Sequence, residues 1–242
     1  MWLLISLPLL FFLAAPVVAI LLRVSPAGLL ENLNNRTVVQ AISLSLTTTA
    51  ITLVISMVAG TPVAYLLARY RSRAAGPVNA VVVGGFALPG LVIALSLVAA
   101  ALARDELAPL YQGYGLLIVA YVVHFGAQAL RAGQVAVGAV PQRLVDAAQI
   151  LGARRARALR TVELPLMAPG LAAGGGLVLL SVMKELPVTL LLAPIGTETL
   201  ATRIWFAYNE AMLAEAGLAA LVLLCTSAAL TWLLVLRRGV AA

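Results

Sequence analysis

Six long apolar runs set the terms for this chain, at about residues 2–22, 41–68, 78–102, 115–130, 169–192 and 214–236. A helix needs about 20 mostly apolar residues to cross a hydrocarbon layer about 30 Å thick. Lipid offers no hydrogen bonds to a bare backbone, so spans of this kind must be helical. The expectation is an all-α membrane protein with six transmembrane helices in one domain, residues 1–242. Composition agrees: 63% of residues are hydrophobic and 10% charged, where soluble domains carry about 25% charged residues. A water-soluble enzyme is excluded. The first run lacks the basic start of a secretory signal peptide and reads as a retained span. Gly60-Thr61-Pro62 marks a place for a kink in the second run, Pro89 lies inside the third, and the fourth carries the only histidine, His124.

The net charge of +7 becomes a topology map once its residues are sorted by loop. The loops after spans two, four and six hold Arg69, Arg71, Arg73, Arg131, Arg143, Arg154, Arg155, Arg157, Arg160, Arg237 and Arg238, against Asp146 and Glu163. The remaining loops, with the outer part of span five, hold Arg23, Arg36, Arg104, Lys184 and Arg203 against Glu31, Asp105, Glu106, Glu185, Glu198, Glu210 and Glu215. Basic residues concentrate on the cytoplasmic side of a membrane protein, which places both termini in the cytoplasm. Tyrosines and tryptophans near the ends of the runs, among them Tyr65, Tyr70, Tyr111, Tyr114 and Trp205, fit interfacial belts.

Several chemistries are missing. Lys184 is the sole lysine and follows Met183, so no Gly-Lys pair exists for a Walker A loop. The single cysteine, Cys225, can form neither an internal disulfide nor a cysteine-based metal cage. No catalytic residue, metal site or cofactor is expected, and nucleic acid is not among the expected partners. His124 reads as a neutral histidine hydrogen-bonded to a neighbouring helix.

The connection between spans four and five, about residues 133–168, is long enough to do more than join them. Pro141 is placed to open a helix. Leu144, Val145, Ala148 and Leu151 fall at helical spacing and give an apolar stripe. Gly152 permits a left-handed cap or sharp turn. A second helical stretch carries Arg154, Arg155, Arg157 and Arg160, and Leu164-Pro165 is expected to stop it. Two short helices joined at a glycine, apolar on one face and cationic elsewhere, suit either anionic lipid headgroups or a protein-docking knob.

The spacing of Asp146-Ala147-Ala148, three residues, Gly152, nine residues, Val162-Glu163-Leu164-Pro165 resembles the EAA motif of binding-protein-dependent ABC transporter permeases. Asp146 stands where that family usually has Glu, and Val162 where it has Ile. The resemblance implies the type I ABC importer permease fold, with Asp146, Ala147, Ala148, Gly152, Val162, Leu164 and Pro165 in a coupling loop that docks on a separate ATPase subunit. It also implies a second permease half, identical or not, and an extracytoplasmic substrate-binding protein as partners, besides membrane lipid. ATP hydrolysis would belong to the partner, so this chain would be non-catalytic.

Span five carries a second group. From Pro169 to Lys184 a helix rises about 22 Å, which leaves Lys184 and Glu185 inside the outer part of the hydrocarbon layer, where charges mark pathways or partners. Pro187 breaks the helix just beyond. Lys184, Glu185, Pro187 and Thr189 are therefore read as pathway or gate residues; the alternative is that the span ends early and both charges meet water at the interface. Gly174-Gly175-Gly176 in the same span allows another backbone to approach closely.

The region from Lys184-Glu185-Leu186-Pro187 to Trp205 resembles ferric-iron permeases, and within them the second six-span half. Ferric iron is the substrate this implies; thiamine, a polyamine or an oxyanion are alternatives on the same fold. A different class, an ion-coupled secondary transporter, predicts acids inside the central spans, and the apolar cores of the first four runs contain no Asp or Glu.

Overall fold

The computed structural model describes residues 2–23, 35–70, 73 and 75–233. Glu31, Arg71, Arg237 and Arg238 of the charge map, and the last three residues of the sixth expected span, fall outside them. All regular structure among the described residues is helical: α1 (Trp2–Arg23), α2 (Arg36–Arg69), α3 (Ala75–Ala87), α4 (Gly90–Leu102), a 3₁₀ turn (Ala108–Leu110), α5 (Tyr114–Gly138), α6 (Gln142–Ile150), α7 (Arg155–Ala158), a π turn (Leu159–Glu163), α8 (Leu164–Met183), α9 (Pro187–Leu192), α10 (Leu200–Asn209) and α11 (Leu213–Thr231).

Among the described residues, four helices are long and apolar enough to cross a membrane: α2, α5, the continuous α7–α8 segment and α11. The pair α3 and α4 makes up to a fifth. Helix α1, 22 residues long, occupies the first expected span and lies against α11.

The third expected span is not one straight helix. It breaks at Leu88-Pro89 and turns by 103° between α3 and α4, because a proline inside a helix lacks an N–H and clashes with the preceding turn. In contrast α2 runs through Pro62 without interruption for 34 residues, about 51 Å at 1.5 Å per residue. Its start is fixed by Asn35, whose side chain accepts the Thr37 amide at 3.0 Å.

The fourth span is longer than its apolar run. Helix α5 reaches Gly138 because its polar residues find partners on the helix surface: Arg131 donates to Gln134 Oε1 at 3.0 Å, and Gln134 Nε2 donates to Asn79 Oδ1 on α3 at 3.3 Å. Leu164-Pro165 likewise stops nothing, and span five does not start at Pro169. The chain passes from α7 through the π turn into α8, with Pro165 in the first turn and Pro169 inside the helix. A π turn widens the helix by one residue and shifts its bonding from i→i−4 to i→i−5, as in the Leu164 amide to the Leu159 carbonyl, so Pro165 follows where the regular ladder is already interrupted.

Helix α5 is central, packed on α2, α3 and α8. Small residues set these contacts. A Cβ on Gly133 of α5 would lie 2.6 Å from Ala64 Cβ of α2, and one on Gly170 of α8 would lie 3.0 Å from Ala136 Cβ of α5. Gly174, Gly175 and Gly176 are all buried, with Gly174 against Ala132, so the expected close approach in span five is made to α5. One core joins Ile93, Leu117, Tyr121, Phe125, Val178, Val182, Val188 and Leu192 from α4, α5, α8 and α9. A second, at the arginine-rich end, joins Ala136, Val137, Val140, Val145, Ala158 and Met167.

Candidate functional site: the basic helical loop and the broken span

Pro141 occupies the N-cap of α6, and the helix ends at the C-cap Leu151. Gly152 follows at φ +88°, a conformation that glycine adopts without a Cβ penalty. The Gly152 amide bonds the Gln149 carbonyl at 2.9 Å and the Ala153 amide bonds the Ala148 carbonyl at 3.0 Å, the paired bonds of a Schellman motif. The first of the two short helices expected from sequence is present and ends in a glycine cap, whereas the second is only the four-residue start of a segment that runs on into α8.

The expected apolar stripe splits. Val145 is buried and Ala148 half-buried against the second core, whereas Leu144 and Leu151 point outward. With Ile150 at 85% and Leu151 at 88% exposure, the hairpin ends in an apolar tip. Around it stand Arg154, Arg155, Arg157 and Arg160, all exposed. Asp146 is also exposed and accepts from Gln142 Nε2 at 3.1 Å. Ala147, Leu164 and Pro165 are exposed and Val162 is half-buried. The motif residues thus form one protruding hairpin and its return into α8. Ile150, which no motif marks, is a sequence-stretch neighbour that belongs to the same tip.

At the root of the hairpin lies a polar cluster that sequence reasoning missed. Glu163, 1% exposed, accepts from Tyr65 OH at 3.0 Å through Oε1 and from Arg69 Nη2 at 3.2 Å through Oε2. Arg69 Nη2 also donates to the Val140 carbonyl at 3.2 Å, and the Arg155 guanidinium sits 5.4 Å from the centre of the Tyr70 ring. Tyr65 and Arg69 at i and i+4 share a helix face, the one signal that could have pointed here.

The second group lies at the break after α8. Lys184 is the C-cap of α8, exposed, and makes no ion pair among the described residues. Glu185 turns the other way: its Oε1 accepts the Val188 amide at 3.1 Å and so caps α9, which Pro187 opens. Thr189, fully buried, donates to the Glu185 carbonyl at 2.7 Å, and its oxygen lies 2.6 Å from Tyr121 OH. The same carboxylate faces the second break, since a Cβ on Gly90 at the start of α4 would sit 3.0 Å from Glu185 Oε1. His124 adjoins this point but is not hydrogen-bonded as expected. Its buried Nδ1 has no partner among the described residues, and the ring packs on Phe86 and Phe125 at 6.0 and 4.5 Å between centres.

At the opposite end from the arginines, α2, α5 and the 196–198 turn enclose a polar cavity of about 510 Å³, lined by Thr37, Gln40, Ser43, Thr47, Thr197 and Glu198 among others. Arg203 on its wall pairs with Glu198 at 3.4 Å and Glu215 at 3.8 Å. Helix α10 behind it starts with a capping box between Thr199 and Thr202.

Apolar helices around a small-residue interface, with a rigid basic hairpin at one end and broken spans within, define a membrane transport subunit. Solved ABC importers share the fold. A bacterial alginate ABC transporter in complex with alginate pentasaccharide-bound periplasmic protein superposes with a TM-score of 0.76 at 16% identity, over 96% of this chain and 92% of that one. The MetNI methionine ABC transporter gives 0.63 at 18% identity, over 81% and 92%. Residues 60–241 match the family described as binding-protein-dependent transport system inner membrane component, and the chain belongs to that family. It is a multi-pass inner-membrane protein. Among its relatives is the Fe(3+)-transport system permease protein FbpB 2 of Haemophilus influenzae, 34% identical over 69% of this chain and 32% of that protein. The chain therefore spans about a third of that relative's length. The probable molybdenum ABC transporter permease of Haloferax volcanii is 29% identical over 89% of this chain and 81% of that one, and the molybdenum permease ModB of Azotobacter vinelandii 32% over 71% and 81%.

Proposed function

We propose that this chain is the permease subunit of an ATP-driven importer, forming half of a translocation path and taking its power from a separate ATPase. The observation that carries the reading is the hairpin. An exposed Ile150–Leu151 tip ringed by arginines, held by a glycine cap and rooted in the core, is a docking knob that can transmit a rigid-body movement. Asp146, Ala147, Ala148 and Gly152 form its face, and Val162, Leu164 and Pro165 its return to the membrane. The arginine-rich end is then cytoplasmic, six spans cross the membrane with both termini inside, and the polar cavity faces out. A second permease half and an extracytoplasmic binding protein complete the assembly.

Lys184, exposed beside the break, is the pathway charge, while Glu185, Pro187 and Thr189 shape the break that presents it. Ferric iron is the proposed substrate, supported by the 34% identity to the Fe(3+) permease. Molybdate is the second reading, supported by permeases of matching length.

Reconstitution with the ATPase and binding protein tests both levels. Binding-protein-stimulated ATP hydrolysis is expected, and is lost when residues 146–152 are replaced. Hydrolysis that is indifferent to that replacement overturns the coupling role. Uptake of labelled ferric iron against labelled molybdate, with and without this chain, decides the substrate.

A further inference from the structure

We infer that Arg69 and Glu163 are positioning residues that make α2 move with the coupling hairpin, so that the docking knob drives three spans rather than the two it joins. The inference rests on the coupling reading of the hairpin and extends it to a helix that no motif marks.

The hairpin is fixed to the inner ends of α5 and α8 by shared apolar packing of Val137, Val140, Val145, Ala158 and Met167. Helix α2 shares that apolar packing, with Ala64 against Gly133 and Tyr65 on the second core, and adds a polar tie. Both Glu163 oxygens are occupied by side chains of α2, one turn apart, and the Arg69 guanidinium also holds the carbonyl that follows α5. A single arginine thereby ties α2 to the end of α5 and to the π turn before α8. The tie is nearly dry on the acidic side, with Glu163 at 1% exposure. Water and salt screen such a pair little, and opening it strands a charge away from solvent. Arg155 over Tyr70 adds a second link from the hairpin itself. An apolar interface can slide; a buried, multiply bonded ion pair resists sliding because its geometry is discrete.

The consequence follows from length. Helix α2 is one unbroken element of 34 residues, and at its far end Thr37, Gln40, Ser43 and Thr47 line the outer polar cavity. A displacement imposed at Arg69 reaches that cavity without passing through α5 or α8.

The test uses the assembled transporter in lipid nanodiscs, with the exposed Cys225 replaced by serine and spin labels on Leu66→Cys in α2 and Leu166→Cys in α8. Pulsed electron resonance compares the distance in the ATP-free and vanadate-trapped states and needs no transported substrate. The expected result is a distance that changes by less than one helical turn, about 5.4 Å, in the parent chain. In Arg69→Met/Glu163→Leu, which removes both charges together and so leaves neither stranded, the change on trapping is larger than the parent's or the distance distribution is broader than the parent's. Uptake of labelled ferric iron or molybdate per ATP hydrolysed falls roughly tenfold, within the reach of coupling mutations. Glu163→Gln, with a near-isosteric side chain, shows the same direction to a smaller extent. A parent distance that changes by a full turn, or variants with unchanged distances and uptake ratio, overturns the tie. A purely structural pair would lower thermal stability and leave both readouts alone. Residues 146–152 are untouched in these variants, so failure of the coupling reading appears instead as a parent chain that does not bind ATPase, or whose ATP hydrolysis is indifferent to replacement of residues 146–152.

Discussion

Glu185 Oε1 accepts the backbone amide of Val188 at 3.1 Å, across the turn that separates α8 from α9. A carboxylate that looks in sequence like an isolated intramembrane charge is in the structure the cap of a short helix, where an anion meets free amides and the positive end of the helix dipole. Its neighbour Lys184 has no such engagement, and the two residues separate into a structural and an exposed member.

From this separation comes a first prediction. Glu185→Ala is expected to destabilise the transporter by about 1 kcal/mol, the usual loss when a capping acceptor is removed, while Glu185→Gln keeps an acceptor oxygen and most of the stability. Lys184→Met is expected to leave thermal unfolding unchanged and to reduce uptake. Thermal unfolding in detergent together with uptake in proteoliposomes checks both halves.

Tyr121 and Thr189 give a second. Because the Thr189 hydroxyl donates to the Glu185 carbonyl, the Tyr121 hydroxyl must be the donor in the 2.6 Å contact between them. Tyr121→Phe removes that bond without opening a cavity and should cost about 1 kcal/mol. Thr189→Val removes both bonds and leaves the Tyr121 hydroxyl buried without its acceptor, so its loss in thermal stability should be the larger of the two.

Helix contact through bare backbone yields a third. Gly133→Ala places a Cβ 2.6 Å from Ala64 Cβ and should cost about 1–3 kcal/mol through overpacking. Ala64→Gly in the same chain returns the space, so the double variant should unfold at a higher temperature than Gly133→Ala alone.

At Gly152 the expected effect is conformational, because nothing among the described residues lies within 4 Å of a Cβ built there. Gly152→Val should weaken ATPase co-purification, since a β-branched residue at φ +88° strains the cap by about 1–2 kcal/mol or more. Gly152→Asn should bind better than Gly152→Val, because asparagine tolerates the left-handed region. Equal binding by both variants would show that the cap does not shape the knob.

Much of this architecture was legible because lipid imposes a simple rule on sequence. Long apolar runs had to be helices, and Pro141, Gly152 and Pro187 sit at the boundaries their chemistry predicts. Prolines were less informative about continuity. Pro89 bends the chain by 103°, Pro62 does not interrupt α2, and Pro165 enters α8 through a π turn, three outcomes that depend on neighbouring turns rather than on proline itself. Polar residues were misjudged where their partners are distant. Glu163 reads from sequence as a loop acid, yet its partner Arg69 lies 94 positions away. His124 was expected to hydrogen-bond, but its neighbours are the rings of Phe86 and Phe125, and ring stacking leaves no periodic trace. Helix α10 lies outside the six apolar runs, and the capping-box spacing of Thr199 and Thr202 is its sequence signal.

The π turn at Leu159–Glu163 has a consequence for how such a chain can change over time. A π turn is an α-helix that has absorbed one extra residue. Deleting that residue would return the segment to regular winding and leave the flanking helices facing as before, because the wide turn already takes up the rotation of about 100° that one added residue brings. A one-residue insertion or deletion in the regular part of α8 has no such slack, and would turn everything before it, the Ile150–Leu151 tip included, by about 100° about the helix axis. The π turn is thus the one place in this segment where a change in length leaves the aim of the tip alone.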